Sequence, residues 1–584
     1  MLKNLLSVLL PFLGMCSIAA EWNLAPLSQG KDQQVTTKLK AGAKKEAVNV
    51  HAASFYMQMP DKTGLFTMIA APVNQAGDGK YPIIFIRTPY AKTNDKDLKS
   101  FCQKQASWLS QGYAVVFQHC RGTGASEGDF IPYVSERADG LETLRQIRLL
   151  PFYNAEIFLT GTSYLSTVHY SYLDAAPDDI KGAVLQVQGL DRYHFRFHNN
   201  ILRASAAGWH FVNFRKNTLT KKKYSVDSFR TMPLADMTEA VYGKNIQQID
   251  NMLKSADPND EYWQTDEGGI EYKNALKNFK FPILFVGGLY DIYTGENFKM
   301  WNSLAPEQRA ISAMIMTPYD HSPTTRFQPK RNPIDFENGS LDKVWNNFRH
   351  EFFEYCRNRN KKLEFIKPGN ITYYALWEKA WHTEPYLAEG PQKLTLFLGD
   401  HTLQQAPRTG EISYIYDPND PAQFPGGCNY RSGGMAVQHR ENFRKDVISF
   451  VSEKFEKDIK VRGKMSARIN VKSDCEDTTF YLRINIVKGN KSYCLREDIV
   501  PISKQHTVYQ PGSTVALDFS FIEHAFVIEK GDRLRLDITS SCWPTFVPHT
   551  NLKGDRFYHT FNKKANNTVV FENSSITLNV LPQI

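Results

Sequence analysis

The stretch that decides the fold is Ile157 to Ser166, I-F-L-T-G-T-S-Y-L-S, a short apolar run that ends at Gly161 and places Ser163 on a tight corner. A β-rich run followed at once by Gly-x-Ser and a helix start is the arrangement of a nucleophile elbow. Gly161 lacks a Cβ, so the turn can close tightly and leave the serine hydroxyl clear of the backbone. The common pattern G-x-S-x-G has a second glycine where this chain has Leu165. The motif alone is therefore also typical of an ordinary turn.

Size and composition indicate a folded globular protein with about two to four domains. The chain has 584 residues, of which 42% are hydrophobic and 22% charged. Its net charge of +9 comes from 70 basic and 61 acidic residues, which are spread along the chain without a long basic run. This pattern favours a solvated surface of mixed charge, and we expect no nucleic-acid partner.

Residues 1 to 20 predict a signal peptide. Lys3 provides a positive start, Leu5 to Ala20 is mostly apolar, and Ser17 to Ala20 offers small residues for cleavage. The segment is too short to span a bilayer comfortably, and no later stretch is long and apolar enough to be a membrane helix. We expect a secreted or periplasmic protein without a membrane span.

The cysteines and histidines indicate neither a metal site nor a bound cofactor. Seven cysteines follow the first 20 residues, and none forms a CxxC or Cys/His spacing typical of zinc sites. Export permits disulfides, and Cys475 with Cys494 is one candidate pair. His194 and His198 are four residues apart, but without a third ligand they are more typical of ordinary polar residues.

Strand and helix patterns alternate between residues 50 and 360, which predicts an α/β domain with a mainly parallel sheet. A hairpin comes first, followed by continuous apolar runs typical of buried parallel strands. The predicted strands are Ala52–Met59, Leu65–Ala71, Pro82–Ile86, Tyr113–Phe117, Ile157–Thr160, Ala183–Val187, Phe281–Val286 and Ala313–Met316, and the predicted helices are Leu98–Leu109, Glu136–Leu149 and Leu341–Arg357.

Two segments interrupt this pattern. The glycine-rich loop Arg121–Gly128 resembles a dinucleotide fingerprint only superficially, because its spacing differs and no helix begins at its end, so we interpret it as structural. Residues 190–278 are aromatic-rich and predict a helical cap, which divides the α/β domain into 50–189 and 279–360. Above a parallel sheet such an insertion would cover the strand ends where ligands bind. A packed helical subdomain without ligand contact is the alternative.

Beyond about residue 370 the pattern changes to short alternating strands, which predict a separate antiparallel β-sandwich at 370–584. Every second side chain is apolar in Met465–Val471 and in Arg533–Ile538. The other predicted strands are Lys393–Leu398, Thr479–Ile484, Val515–Phe519 and Ile576–Val580.

Three chemically active residues each follow a predicted strand of the α/β domain: Ser163, Asp291 and His321. Strand ends of a parallel sheet meet at one edge, and the chain order Ser, Asp, His is that of α/β-hydrolases. We therefore predict that Ser163 attacks an acyl carbonyl, that His321 moves the proton and that Asp291 orients the imidazole. Asp320 is the other candidate acid, but an adjacent residue rarely reaches its neighbour's ring in the correct orientation.

Two groups are predicted to form an oxyanion hole. The backbone N–H of Tyr164 follows the nucleophile, and the hydroxyl of Tyr90 lies just after an earlier strand. A tyrosine with only a packing role is the alternative for Tyr90.

At this point the chain resembles the CocE/NonD hydrolases, which include cocaine esterase, α-amino acid ester hydrolases and X-prolyl dipeptidyl peptidases. The resemblance covers nearly the whole chain after residue 20. The matching motifs are R-T-P-Y at Arg87–Tyr90, C-R-G-T-G-A-S-E-G at Cys120–Gly128, G-T-S-Y at Gly161–Tyr164, G-G-L-Y-D at Gly287–Asp291, D-H at Asp320–His321, Y-D-P-N-D-P at Tyr416–Pro421, L-R-E-D-I at Leu495–Ile499 and R-L-R-L-D-I at Arg533–Ile538.

The resemblance implies an α/β-hydrolase fold with a helical cap and a C-terminal jelly-roll, galactose-binding-like domain. It also implies a serine hydrolase that uses a tyrosine hydroxyl and a backbone N–H as its oxyanion hole. One position departs from the family, which usually has glycine three residues after the nucleophile, where this chain has Ser166.

The expected function is that of an exported serine hydrolase that cleaves an ester or amide of a small acyl substrate. An esterase or acylase is favoured over a dipeptidyl-peptidase-type exopeptidase, because no carboxylates that would hold a free α-amino group can be assigned from the sequence. A non-catalytic carbohydrate-binding protein is the alternative of another class. The oligomeric state stays open.

Overall fold

The computed structural model describes residues 22–24, 27, 33–40, 47–73, 79–221, 223–323, 334, 336–430 and 433–582. The predicted signal peptide at residues 1–20 lies outside these residues. Within the described part, every helix is too short or too polar to cross a membrane.

The first part of the chain builds seven of the eleven strands of a large sheet. These strands are β1 Gln33–Lys40, β2 Ala47–Gln58, β3 Gly64–Pro72, β4 Tyr81–Thr88, β5 Ala114–His119, β6 Tyr153–Thr162 and β7 Ile180–Gln186. Of these, β3, β4, β5 and β7 are almost entirely buried. The helices between them are α1 Leu98–Lys104, α2 Ala106–Leu109, α3 Glu136–Ile147 and α4 Tyr164–Tyr170. The helix predicted over Leu98–Leu109 is thus divided at Gln105.

An aromatic insertion follows β7. Its elements are α5 Arg192–Arg196, β8 Phe197–His198, β9 Ile201–Leu202, α6 Ala204–Asn213, α7 Met237–Tyr242 and α8 Gln247–Lys254. We call the insertion, residues 190–278, the cap. Its hydrophobic core contains Phe211 and Trp263 and also three side chains from the far end of the chain, Trp543, Val547 and Phe557. The cap is therefore packed against the C-terminal region as well as the sheet.

After the cap the chain returns to the large sheet. The strands are β10 Ile283–Gly288, β11 Ala313–Thr317, β12 Ile371–Ala375 and β13 Ala380–Glu384, and the helices are α9 Thr294–Ser303, α10 Pro306–Ile311, α11 Leu341–Val344 and α12 Phe348–Arg357. The sheet order is β1-β2-β3-β5-β4-β6-β7-β10-β11-β12-β13, and β5 through β12 are parallel. The predicted α/β class with a mainly parallel sheet is confirmed.

Two expectations for the end of this domain need correction. Strands β12 and β13 extend the large sheet, with Ile371 of β12 paired to Met314 of β11, so the sheet continues past the predicted domain limit at 370. The helix predicted over Leu341–Arg357 is broken at Trp345, whose φ of −151° and ψ of 67° lie outside the helical region.

The C-terminal region is all-β, as predicted. Its elements are β14 Gln392–Leu398, β15 Thr402–Gln404, β16 Glu411–Tyr416, β17 Ile448–Ser452, β18 Ile459–Ser473, β19 Thr479–Lys488, β20 Lys491–Pro501, α13 Ile502–Gln505, β21 Val515–Ile528, β22 Arg533–Thr539 and β23 Ala565–Val580. The ten strands form one connected, mostly antiparallel sheet. It curls, because β20 and β21 at its two ends contact each other.

The cysteines correct a further expectation. All seven described cysteines are buried free thiols, so the candidate pair Cys475 and Cys494 is not bonded. The two occupy different surroundings: the Cys475 thiol contacts the carbonyl of Lys564 at 3.6 Å, whereas Cys494 lies within β20.

Candidate active site

Ser163 lies on the corner between β6 and α4 in a strained backbone conformation. Its φ of 59° and ψ of −128° are unusual for a residue with a side chain, and such strain costs about 1–3 kcal/mol. The corner is held on both sides: the Ser163 N–H donates to the Gln186 carbonyl at 2.9 Å, and the Ser163 carbonyl accepts from the N–H of Ser166 at 2.8 Å. The strand-to-helix turn expected from the sequence is present.

Gly161 and Ser166 stabilise this corner from opposite sides of Ser163. A Cβ on Gly161 would lie 2.2 Å from the carbonyl oxygen of Leu165, so only glycine fits there. The buried Ser166 hydroxyl donates to the Gln186 carbonyl at 3.1 Å and accepts from the Gln186 N–H at 2.9 Å. The serine that replaces the family's glycine thus joins α4 to strand β7.

Asp291 and His321 follow neighbouring strands, β10 and β11, and meet Ser163 at the same edge. His321 Nε2 lies 2.9 Å from Ser163 Oγ, and His321 Nδ1 lies 2.9 Å from Asp291 Oδ1. The ring therefore bonds to Asp291 and not to its neighbour Asp320. Gly288 allows the approach, because a Cβ there would lie 2.4 Å from the carbonyl oxygen of Tyr319.

The electrostatics of His321 favour its protonated form. Burial lowers the pKa of the imidazole, but the charge and hydrogen bond of Asp291 and the charge of Asp320 outweigh burial, so the pKa of His321 is raised above its usual value. Asp291 is fully buried, and its Oδ2 atom has no hydrogen-bond partner among the described residues. The carboxylate charge is thereby directed at the imidazole, which suits a base that becomes positive during a reaction.

The two predicted oxyanion donors lie beside Ser163. Tyr164 is the first residue of α4, so its N–H has no acceptor within the helix. The Tyr90 hydroxyl accepts a hydrogen bond from Trp209 Nε1 at 3.2 Å, which leaves its own proton free to donate. The Tyr90 side chain is 39% exposed, but desolvation around its hydroxyl, and then the charge of Tyr430, raise the pKa of Tyr90 against the opposing hydrogen bonds of Trp209 and Ser163. The hydroxyl therefore stays protonated.

Aromatic side chains from three parts of the chain surround this set. Trp209 of the cap stacks on Tyr164 with ring centroids 5.0 Å apart. Tyr293 at the start of α9 lies 6.0 Å from the His321 ring, and Tyr430 lies 5.2 Å from it, edge to face. Tyr430 was not predicted, because it lies in an irregular loop of the C-terminal region; only the aromatic content of the loop could have suggested it.

His194 has acidic neighbours that the sequence did not reveal. Its Nε2 lies 3.6 Å from Asp191 Oδ2 and 3.9 Å from Glu296 Oε1, and one ligand atom of each residue lies within 4.8 Å of the others. The ammonium of Lys299 lies 3.6 Å from the Asp191 carboxylate and 3.5 Å from the Glu296 carboxylate. The positive charge that balances these two carboxylates therefore comes from Lys299. His198 instead bonds Asp498 of β20 at 2.5 Å.

Comparison with known proteins identifies the class and then the family. Residues 61–323 match the family model of the X-Pro dipeptidyl-peptidase (S15 family), and residues 362–575 match that of the X-Pro dipeptidyl-peptidase C-terminal non-catalytic domain. The protein is a serine hydrolase, so the alternative of a non-catalytic carbohydrate-binding protein is wrong. It belongs to the CocE/NonD hydrolases, as the sequence motifs indicated.

Similar individual proteins support this membership. Cocaine esterase from Rhodococcus sp. (strain MB1 Bresler) is 23% identical over 522 residues, which cover 82% of this chain and 89% of the relative. An aminopeptidase from a marine sediment Thaumarchaeota archaeon has a similar fold, with a TM-score of 0.75, 19% identity and coverage of 94% and 96% of the two chains. An α-amino acid ester hydrolase gives a TM-score of 0.74, 18% identity and coverage of 91% and 96%.

Proposed function

We propose that the protein hydrolyses esters of small acyl groups through a Ser163–His321–Asp291 triad and an acyl-enzyme. The observation that carries the proposal is a chain of two hydrogen bonds that links the three residues. Ser163 Oγ lies 2.9 Å from His321 Nε2, and His321 Nδ1 lies 2.9 Å from Asp291 Oδ1. This geometry suits a serine activated by an imidazole that a buried carboxylate orients.

In the first half of the proposed reaction Ser163 Oγ attacks the acyl carbonyl while its proton passes to His321 Nε2. The new negative charge forms on the carbonyl oxygen, next to the N–H of Tyr164 and the hydroxyl of Tyr90. His321 then gives the proton to the leaving alcohol or amine, and the acyl group stays on Ser163. In the second half water attacks the acyl-enzyme while His321 takes a proton from the water. His321 then returns this proton to Ser163 Oγ as the carboxylic acid leaves.

The surroundings favour an ester of an uncharged acyl group over a peptide with a free amino terminus. The His321 and Tyr90 rings have the aromatic neighbours Trp209, Tyr293 and Tyr430. The Lys216 ammonium lies 5.5 Å from the centroid of the Tyr90 ring, and a second ammonium group there would be repelled. Asp191 of the cap and Glu296 of α9 already contact the Lys299 ammonium. A substrate ammonium group would have to compete with Lys299 for them.

An exopeptidase is the second candidate, and the match to the X-Pro dipeptidyl-peptidase family model favours it. Asp191 and Glu296 would then receive the substrate's amino terminus. A matched pair of substrates, an acyl ester with and without a free α-amino group, distinguishes the candidates: an esterase prefers the uncharged form, whereas an exopeptidase requires the amine.

The test of the triad is fluorophosphonate labelling of the full chain beside the Ser163→Ala variant, followed by a screen of acyl esters, amino acid esters, β-lactam amides and X-Pro anilides. We expect labelling and ester hydrolysis in the wild type and neither in the variant. Ser513→Ala, in an exposed turn of the C-terminal region, is the control and should label normally. Labelling that persists in Ser163→Ala would disprove the assignment.

We also propose that the protein is exported, because residues 1–20 have the charge and apolar pattern of a cleaved signal peptide. The measurement is the N-terminal sequence and mass of the protein recovered from expressing cells, together with its distribution between fractions. Recovery in the cytoplasm with residues 1–20 intact would refute this proposal without affecting the triad.

A further inference from the structure

A cavity of about 340 Å³ lies behind the nucleophile elbow, whose residues Gly161, Thr162 and Leu165 line it. Helices α1 and α2 line one side of it, and the start of α12 lines the other. Its floor is formed by the ends of β4, β6 and β7, including Gly161, Thr162 and Gln186. The volume is at the lower end of the range for small-molecule sites.

The charges around this cavity have one sign. Lys104 and Arg349 line it, and none of its described lining residues carries a carboxylate. His350 also lines it, but burial lowers the pKa of this imidazole and favours its neutral form. Arg349 is partly buried and forms no ion pair with the described residues; its Nη2 donates to the neutral Gln186 Oε1 at 3.4 Å, and its guanidinium lies over the Phe348 ring, 4.6 Å from the centroid. Burial lowers the pKa of Arg349, with Asp342 opposing. A guanidinium in this position gains from an anionic partner.

The backbone and His350 add further donors. Helix α12 begins in the cavity wall, and its N-cap residue, Asn347, makes no side-chain capping bond. The N–H groups of Arg349 and His350 belong to the first turn, where no intrahelical acceptor exists. The His350 Nδ1 atom is buried without a hydrogen-bond partner among the described residues. The partial positive charge of the helix start adds to that of Lys104 and Arg349.

We propose that this cavity is a binding site for a small anion that carries a phosphate or carboxylate group. The anion would sit between Arg349 and Lys104 and accept bonds from the first turn of α12. It would also touch the back of the elbow: Gln186 Nε2 bonds Thr162 Oγ1 at 3.0 Å, and the Gln186 carbonyl holds the Ser163 N–H. Two residues that line the site, Thr162 and Gln186, thus contact the candidate nucleophile directly, Thr162 along the chain and Gln186 by a hydrogen bond.

The test is calorimetric titration of the full chain with inorganic phosphate and, separately, with succinate. We expect saturable binding of at least one probe. Arg349→Gln should weaken it about tenfold or more, the effect of losing a hydrogen bond to a charged group. Lys104→Gln, at an exposed position that does not threaten folding, should weaken it in the same direction. Lys99→Gln is the control, since Lys99 lies on α1 outside the cavity.

The outcome is independent of catalysis, because Ser163→Ala should bind the probe as the wild type does. Preference for phosphate or for succinate identifies the group that the site takes. Binding of neither probe, or the same affinity in wild type, Arg349→Gln and Lys104→Gln, would overturn the proposal.

Discussion

At the scale of single residues, the site depends on a few side chains whose chemistry is set by their neighbours. Trp209 donates a hydrogen bond to the Tyr90 hydroxyl oxygen, so the Tyr90 proton points away from Trp209 and can be donated to another group. Asp291 offers a buried carboxylate to one imidazole nitrogen, and this leaves the other nitrogen for Ser163. In both cases a neighbour on one side determines what the reactive group does on the other.

Tyr90→Phe should lower kcat about a hundredfold to a thousandfold with little change in KM, because the lost donor acts on the charge that develops in the transition state. Ester hydrolysis kinetics measure the effect. Tyr558→Phe, which alters an exposed tyrosine, is the control. Retention of kcat within about twofold in Tyr90→Phe would mean that this tyrosine only packs.

Asp320→Asn should move the acid limb of the pH profile of kcat/KM to lower pH. The charge of Asp320 helps to raise the pKa of His321, and the base works only when neutral, so activity appears as pH rises through that pKa. Removing the charge lowers the pKa, and activity then appears at lower pH. Asp518→Asn, at an exposed position, should leave the profile unchanged. A shift to higher pH in Asp320→Asn would contradict the argument.

At the scale of elements, the corner between β6 and α4 is stabilised from the neighbouring strand. Ser163 and Ser166 both bond to the backbone of Gln186 on β7. The strained conformation of Ser163 thus depends on the pairing of two strands as well as on the turn sequence.

Ser166→Ala should lower the free energy of unfolding by about 1–3 kcal/mol, because the buried Gln186 N–H loses its acceptor. Urea unfolding measures the change. Ser110→Ala removes a hydroxyl whose hydrogen bond, to the Ser107 carbonyl, is exposed, and it should stay within about 0.5 kcal/mol of wild type. The explanation fails if Ser166→Ala is no less stable than Ser110→Ala.

Local sequence predicted the elements that bear reactive residues better than it predicted how distant elements pair. Ser163, Asp291 and His321 follow buried runs of the kind that form parallel strands, and the structure brings the three within hydrogen-bonding distance. The pairing of Ile371–Ala375 with β11 depends on contacts made more than fifty residues apart, which no local pattern contains. Tyr430 shows the same limit, because an irregular loop has no periodicity from which its position could be read.

At the scale of the whole molecule, the cap and the C-terminal region share one hydrophobic core. Trp543, Val547 and Phe557 pack among the aromatic residues of the cap, and the His198–Asp498 bond adds a polar contact between the same parts. Tyr430 extends the C-terminal region to the His321 ring. The site is therefore built by the α/β domain, the cap and the C-terminal region together.

Phe557→Ala should lower the free energy of unfolding by about 3–5 kcal/mol, since it empties a large buried side chain from the shared core. Calorimetry should show the cap and the C-terminal region unfolding in one transition, in wild type and variant alike. Tyr558→Ala is the matched control, because Tyr558 is adjacent but 62% exposed. A separate early transition for the cap would show that the two parts are not coupled.

The shared core also constrains how this enzyme can diverge or be recombined. A cap taken from a relative would bring aromatic residues shaped for a different C-terminal surface, and it would meet Trp543, Val547 and Phe557 with mismatched volumes. Chimeras that change substrate selectivity should therefore exchange residues 190–278 together with the segment around 543–557, so that the two pieces are inherited as one module although the chain separates them by more than 260 residues.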